Sequence, residues 1–97
     1  MSFPKLHDAV LHYVTIDWER AVAEISLGTW KSKMQIVAKD LTAVNCPRRL
    51  PWGPSVYVNS VAQTERHDGE AVEIEMQSGD IIVIEAKSFS LVETPET

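Results

Sequence analysis

The sequence predicts an all-β fold, a small six-stranded antiparallel sandwich or open barrel with at most one short helical turn. Three observations carry this prediction. Apolar residues recur with a period of two rather than 3.6. β-branched and aromatic side chains dominate those runs. Turn residues punctuate the chain at short intervals, as in hairpin-rich proteins.

Taken in order, Leu6, His7, Asp8 and Ala9 read as a turn or short helix that closes one end of the core. Val10, His12, Val14, Ile16 and Trp18 alternate with Leu11, Tyr13, Thr15 and Asp17 as a first strand. Ala21, Ala23, Ile25 and Leu27 alternate with Val22, Glu24, Ser26 and Gly28 as a second. A tight loop joins them, either Glu19-Arg20 alone or residues 17–20. It sets Val14 opposite Ile25 and Ile16 opposite Ala23 on one face, with Tyr13–Ser26 and Thr15–Glu24 on the other. Like then pairs with like, which specifies register when one face is buried. His12, in phase with Val10 and Val14, reads as a hydrogen-bonded histidine on the core face or at its margin.

A turn over 28–32 leads to a third strand at 33–44. Residues 45–55 hold three prolines and a glycine, which exclude a helix or a central strand. Residues 55–62 read as a strand because of Val56, Tyr57, Val58 and Val61, the alternative being a short helical turn capped by Ser55. Residues 63–69 read as a polar loop and 71–77 as a strand. Ser78, Gly79 and Asp80 make a turn, with Gly79 suited to positive φ. Residues 81–86 are apolar on both faces at first, which marks a central strand that extends toward Val92. A single domain over 1–93 and a flexible tail at 94–97 follow.

Composition narrows the function. The 97 residues carry 14 acidic and 9 basic side chains, a net charge of −5, with 44% hydrophobic and 24% charged residues, which is globular rather than disordered. One cysteine excludes a disulfide scaffold and every multi-cysteine zinc pattern. The longest apolar run, Ile81-Ile82-Val83-Ile84, is far short of the roughly 20 residues of a membrane helix. No apolar leader is visible at the start, so a cytoplasmic setting is expected. A sequence pI near 5.0 argues against nucleic acid as a partner. Charge is uneven: residues 1–67 carry +2 and residues 68–97 carry −7. Those acids read as a solvated strand face that guards a sheet edge. So small a domain is expected to spend its apolar residues on one core, with little left for a deep pocket.

Motifs for phosphate cradling, dinucleotide binding, serine hydrolysis, zinc proteolysis and calcium binding are all missing. Glu73 and Glu75 share one strand face, but acid–base work requires a cleft. His7-Asp8 pairs a base with a carboxylate, and with His67 it would supply a small metal-dependent or small-molecule-acting enzyme. A closed ligand set is lacking, and the bland role is a carboxylate bonded at a turn. Cys46 carries no catalytic signature around it and reads as a buried, inert thiol. The 45–55 loop is the strongest binding candidate, because Arg48, Arg49 and Trp52 are residue types enriched at binding hot spots, with Tyr57 close behind. The alternative is that Leu50 and Trp52 cap the core.

Three segments together, Leu6-His7-Asp8-Ala9, Pro51-Trp52-Gly53-Pro54-Ser55 and Ile74-Glu75-Met76-Gln77-Ser78-Gly79-Asp80, resemble those of small uncharacterised bacterial all-β proteins. These open with an L-H-D-[AGS] tetrad and close with a hydrophobic hairpin around S-G-D. Similarly built small β proteins include immunity-type proteins of bacterial toxin systems. The resemblance implies a bacterial cytoplasmic setting and no catalytic residues, cofactor or metal. The sequence therefore points to a non-enzymatic protein-interaction domain, with a protein partner or a homo-oligomer, and with neither nucleic acid nor membrane involved.

Overall fold

A computed structural model of the chain describes residues 6–29, 32–49 and 56–95. Six strands, β1 (Val10–Asp17), β2 (Val22–Gly28), β3 (Ser32–Asn45), β4 (Val58–Arg66), β5 (Gly69–Met76) and β6 (Ile81–Pro95), form one antiparallel sheet in the order β1-β2-β3-β6-β5-β4. The all-β prediction holds, no helix occurs among the described residues, and the sheet is not closed into a barrel.

The β1–β2 hairpin has the expected register, Val14 opposite Ile25 and Ile16 opposite Ala23. Its loop runs from Trp18 to Ala21, closed by the Ala21 N–H on the Trp18 carbonyl (3.3 Å) and by the Arg20 N–H on the Asp17 carboxylate (3.1 Å). Ala21 takes φ 55°, an uncommon conformation for a residue with a Cβ. The strand departs from expectation at His12. The register slips between Leu11 and Tyr13, so His12 is the extra residue of a bulge. Leu11 takes the inward position and His12 is exposed, its ring lying against Gly28, where any Cβ would approach Nε2 to 2.6 Å.

The β5–β6 hairpin follows the turn chemistry of Ser78-Gly79-Asp80. The Gly79 N–H reaches the Met76 carbonyl (2.9 Å), the Met76 N–H reaches the Asp80 carbonyl (2.8 Å), and Gly79 adopts φ 102°. The stretch read as a 63–69 loop is different. β4 continues to Arg66, and only His67 and Asp68 turn before Gly69 pairs with Arg66. A polar sequence is compatible with a strand here because β4 is a sheet edge with solvated side chains. Residues 58–62 are strand, not helix. β6 pairs as far as Pro95, opposite Ser32, so the tail expected from residue 94 belongs to the sheet through Pro95. The acidic strands β5 and β6 are interior, so their carboxylates guard no edge; the edges are β1 and β4.

Fully extended, the 14 residues of β3 and the 15 of β6 would span about 43 and 46 Å. Both exceed the 34 Å principal extents of the molecule. Burial locates the bend. Lys39 and Asp40 on β3 are consecutive exposed residues, and so are Lys87 and Ser88 beside them on β6. Inward parity changes there, from Met34, Ile36 and Ala38 to Leu41 on β3 and from Ile82, Ile84 and Ala86 to Phe89 and Leu91 on β6; a bulge between Leu41 and Ala43 restores the β3 phase at Val44. Asp40, at φ 56°, sits in this step, and the Leu41 N–H then reaches back to the Ala21 carbonyl (2.9 Å). The sheet folds across the step around one core of Ile25, Leu27, Ile36, Val58, Val72, Ile74 and Ile84. Leu6 and Ala9, both buried, plug one end through the turn expected there.

Among the described residues, the two sheet edges meet at one corner. Asp8 N–H donates to the Val58 carbonyl, Val58 N–H to the Ala9 carbonyl and Leu11 N–H to the Val56 carbonyl, each at 2.8 Å. Val10 bridges to Tyr57 between them.

Two positive-φ positions, Gly69 and Ala21, are predicted to respond oppositely. A Cβ on Gly69 (φ 153°) would lie 2.6 Å from the Ala86 carbonyl oxygen, which is fixed backbone. Gly69→Ala is expected to lower stability by about 2 kcal/mol or more. Ala21→Gly removes a positive-φ penalty and is expected to raise stability by up to about 1 kcal/mol, after the entropy glycine adds to the unfolded chain. Urea titration of the two variants reads both shifts.

Candidate binding groove

Beyond the corner, β1 stays paired with β2 but makes no further backbone pairing with β4 among the described residues, and an open groove of about 920 Å³ lies beside it. It is an open trough rather than a deep pocket, because a sheet that folds without closing leaves its inner face uncovered on one side. One wall is β1, with Leu11, Val14, Ile16 and Trp18. The other runs along residues 41–48, with Leu41, Val44, Cys46, Pro47 and Arg48, and Val56 and Ile82 complete the lining. Its floor is the core itself: Leu11, Val14, Leu41 and Val44 pack directly on buried core residues. Its rim is apolar and wet, with Trp18 88% exposed, Tyr13 51% and Ile16 47%. Among the described lining residues none is acidic, while His12 and Arg48 can carry positive charge.

The expected binding residues divide. Arg48 is exposed and lines the groove. Arg49 is exposed, and its N–H donates to the Asp80 carboxylate at 3.2 Å. Tyr57, 43% exposed, sits on the corner, its carbonyl accepting the Gln77 N–H at 3.0 Å. Trp52 and Leu50 lie outside the described residues. Asp80, more than a turn residue, is buried; its carboxylate also accepts the Ser78 hydroxyl at 3.3 Å, so it ties the 46–49 wall to the β5–β6 turn. Cys46 lies on that wall, exposed rather than buried as expected, and partial desolvation there raises its thiol pKa. Ile16 and Trp18 were legible only as inward-facing residues. Nothing in the alternation signals that no layer covers them.

The polar residues of the N-terminal tetrad lie at the corner. His7 Nδ1 donates to the Asn59 carbonyl at 3.0 Å, which leaves Nε2 3.5 Å from the Asp8 carboxylate. The Gln77 amide bonds both the Asp8 carboxylate and the Val58 carbonyl (3.3 Å), and the Asn59 amide bonds Glu75. The L-H-D-A tetrad and the hairpin around S-G-D are thus in direct contact. His67 lies in the turn at the far end of β4, about 26 Å along the strand from Asn59, and faces only Asp68 (3.8 Å). His7 and Asp8 are together, and His67 does not join them. Among the described residues no three His, Cys, Asp or Glu side chains cluster as a metal site. Glu73 is paired with Arg66 (3.5 Å) and Glu75 with Asn59, so the two carboxylates serve separate cross-strand contacts.

Comparison with known protein families, with curated proteins and with solved structures returns no match.

Asp80→Ala strands the Arg49 N–H and the Ser78 hydroxyl and is expected to cost about 1–3 kcal/mol, read by urea unfolding. The Cys46 thiol is expected to alkylate with a pH midpoint above its ordinary value of 9.0 in the folded protein and to return to that value in denaturant, read by iodoacetamide labelling.

Proposed function

We propose that the chain is a non-enzymatic protein-interaction domain that binds an extended segment of a protein partner, apolar on one side, along the groove beside β1. The observation that carries this reading is the solvent-exposed rim of Tyr13, Ile16 and Trp18 over an apolar trough continuous with the core. Aromatic residues beside an arginine are the usual anchors of such surfaces. The absence of carboxylates from the described lining favours a neutral or acidic segment. Arg49, Trp52 and Tyr57 belong to the same reading as candidates along the neighbouring loop and corner. The resemblance to small bacterial proteins supports a bacterial cytoplasmic setting, in which an immunity-type role would consist of occupying and blocking a partner.

The test is selection of displayed strand-forming peptides on the immobilised protein. Selected peptides are expected to bind with Kd in the range of about 1–100 μM. Trp18→Ala is expected to weaken them roughly tenfold or more, and Arg48→Ala less. Arg49→Ala, Trp52→Ala and Tyr57→Ala then place or exclude the loop and corner. Peptides whose affinity ignores Trp18, Ile16 and Arg48, or no peptides at all, would overturn the reading.

A further inference from the structure

We infer that the segment bound beside β1 is β1 of a second copy of this chain, paired antiparallel about a twofold axis at Thr15. The inference rests on the interaction-domain reading and names its partner.

The two sheet edges are built differently. β4 carries Asn59, Ser60, Gln63, Thr64, Glu65 and Arg66, the polar and charged dressing that keeps an edge from pairing. β1 has no lysine, arginine or proline, and its one acid, Asp17, is at its end. Such an edge is a template for a further strand.

Backbone polarity identifies the groups on offer. The odd residues of β2 turn toward β3, since the Ala21 carbonyl accepts from Leu41 and the Thr29 N–H donates to Ser32. Its even residues, Val22, Glu24 and Ser26, therefore bond to Asp17, Thr15 and Tyr13. Val14 and Ile16 consequently point their N–H and C=O away from β2. Among the described residues no backbone partner reaches them there; the corner bonds stop at Leu11.

An antiparallel partner must set outward residues opposite outward residues. A twofold axis at Thr15 does so, with Val14 and Ile16 of one copy exchanging hydrogen bonds with Ile16 and Val14 of the other. Charge fits the same arrangement. Asp17 and Glu19 lie at one end of β1, where Arg20 leaves the turn net negative. His12 and Arg48 share the groove at the other end beside Val56. Antiparallel pairing brings each acidic end to the basic end of the other copy, twice by symmetry. The partner strand flanks the exposed Tyr13 and Ile16, one on each face of β1.

Sedimentation equilibrium is the test, with amide exchange followed by NMR. The protein is expected to dimerise, and Val14→Pro, which deletes an outward N–H and none that bonds β2, is expected to weaken the dimer at least tenfold with unchanged circular dichroism. Should that variant unfold, exchange in the unaltered protein decides: Val14 and Ile16 amides are expected to be slow in the dimer and fast on dilution, with Thr15 slow in both. A monomer at roughly 1 mM, or fast Val14 and Ile16 exchange within a dimer, would overturn self-pairing. Peptides that still require Trp18 would then leave the interaction domain standing with a foreign strand as its partner, whereas loss of both results would remove both readings.

Discussion

The paired strands β3 and β6 would, if straight, exceed the principal extents of the molecule, and the rest of the architecture follows from that mismatch. They bend at the level of Asp40 and Lys87, which turns β1-β2 and β5-β4 to face each other over a shared core. The core fills the middle of this fold and the Leu6–Ala9 turn plugs one end. Six strands are enough to bring the edges into contact at Val10 and Tyr57 but not along their length. The groove is the part of the interior that the folded sheet encloses incompletely, which is why its floor is made of core residues rather than of a separate pocket lining.

Where two segments both alternate and a short loop joins them, the sequence specified the structure closely. The β1–β2 register is legible because Val14–Ile25 and Ile16–Ala23 match on one face and Thr15–Glu24 on the other. The β5–β6 turn is legible because only a residue without Cβ sits easily at the conformation of Gly79. The second half of β4 was not, since an edge strand with solvated faces carries the same residue types as a loop. The bulge at His12 was not either, because one inserted residue leaves the pattern on each side intact while exchanging Leu11 for His12 at the core.

The groove was the least legible feature, for a physical reason. Alternation reports which face of a strand looks inward, and it is silent on whether another layer lies over that face. Ile16 and Trp18 therefore read as core and are half and largely exposed. Arg48 stood out by residue type as a binding candidate, and the fold puts it on the groove lining. The reading of His7, Asp8 and His67 as one site failed on distance alone, because β4 lies between its parts. Asp80 was legible as a turn former, and its second task, holding the Arg49 segment, arises from a contact between residues far apart in sequence.

The position of β6 between β3 and β5 also bears on how the protein comes to be made. Among the described residues, the β1–β3 meander and the β4–β5 hairpin share no backbone pairing other than at the corner until β6 is inserted between them. Because β6 follows the other five strands in the chain, a ribosome completes both pieces before it supplies the strand that unites them. Each piece meanwhile exposes an unpaired edge on β3 or β5 along with half of an apolar interior. Assembly then waits on pairings as distant in sequence as Ser32 with Pro95, a topology associated with slow folding and with a period of vulnerability to aggregation.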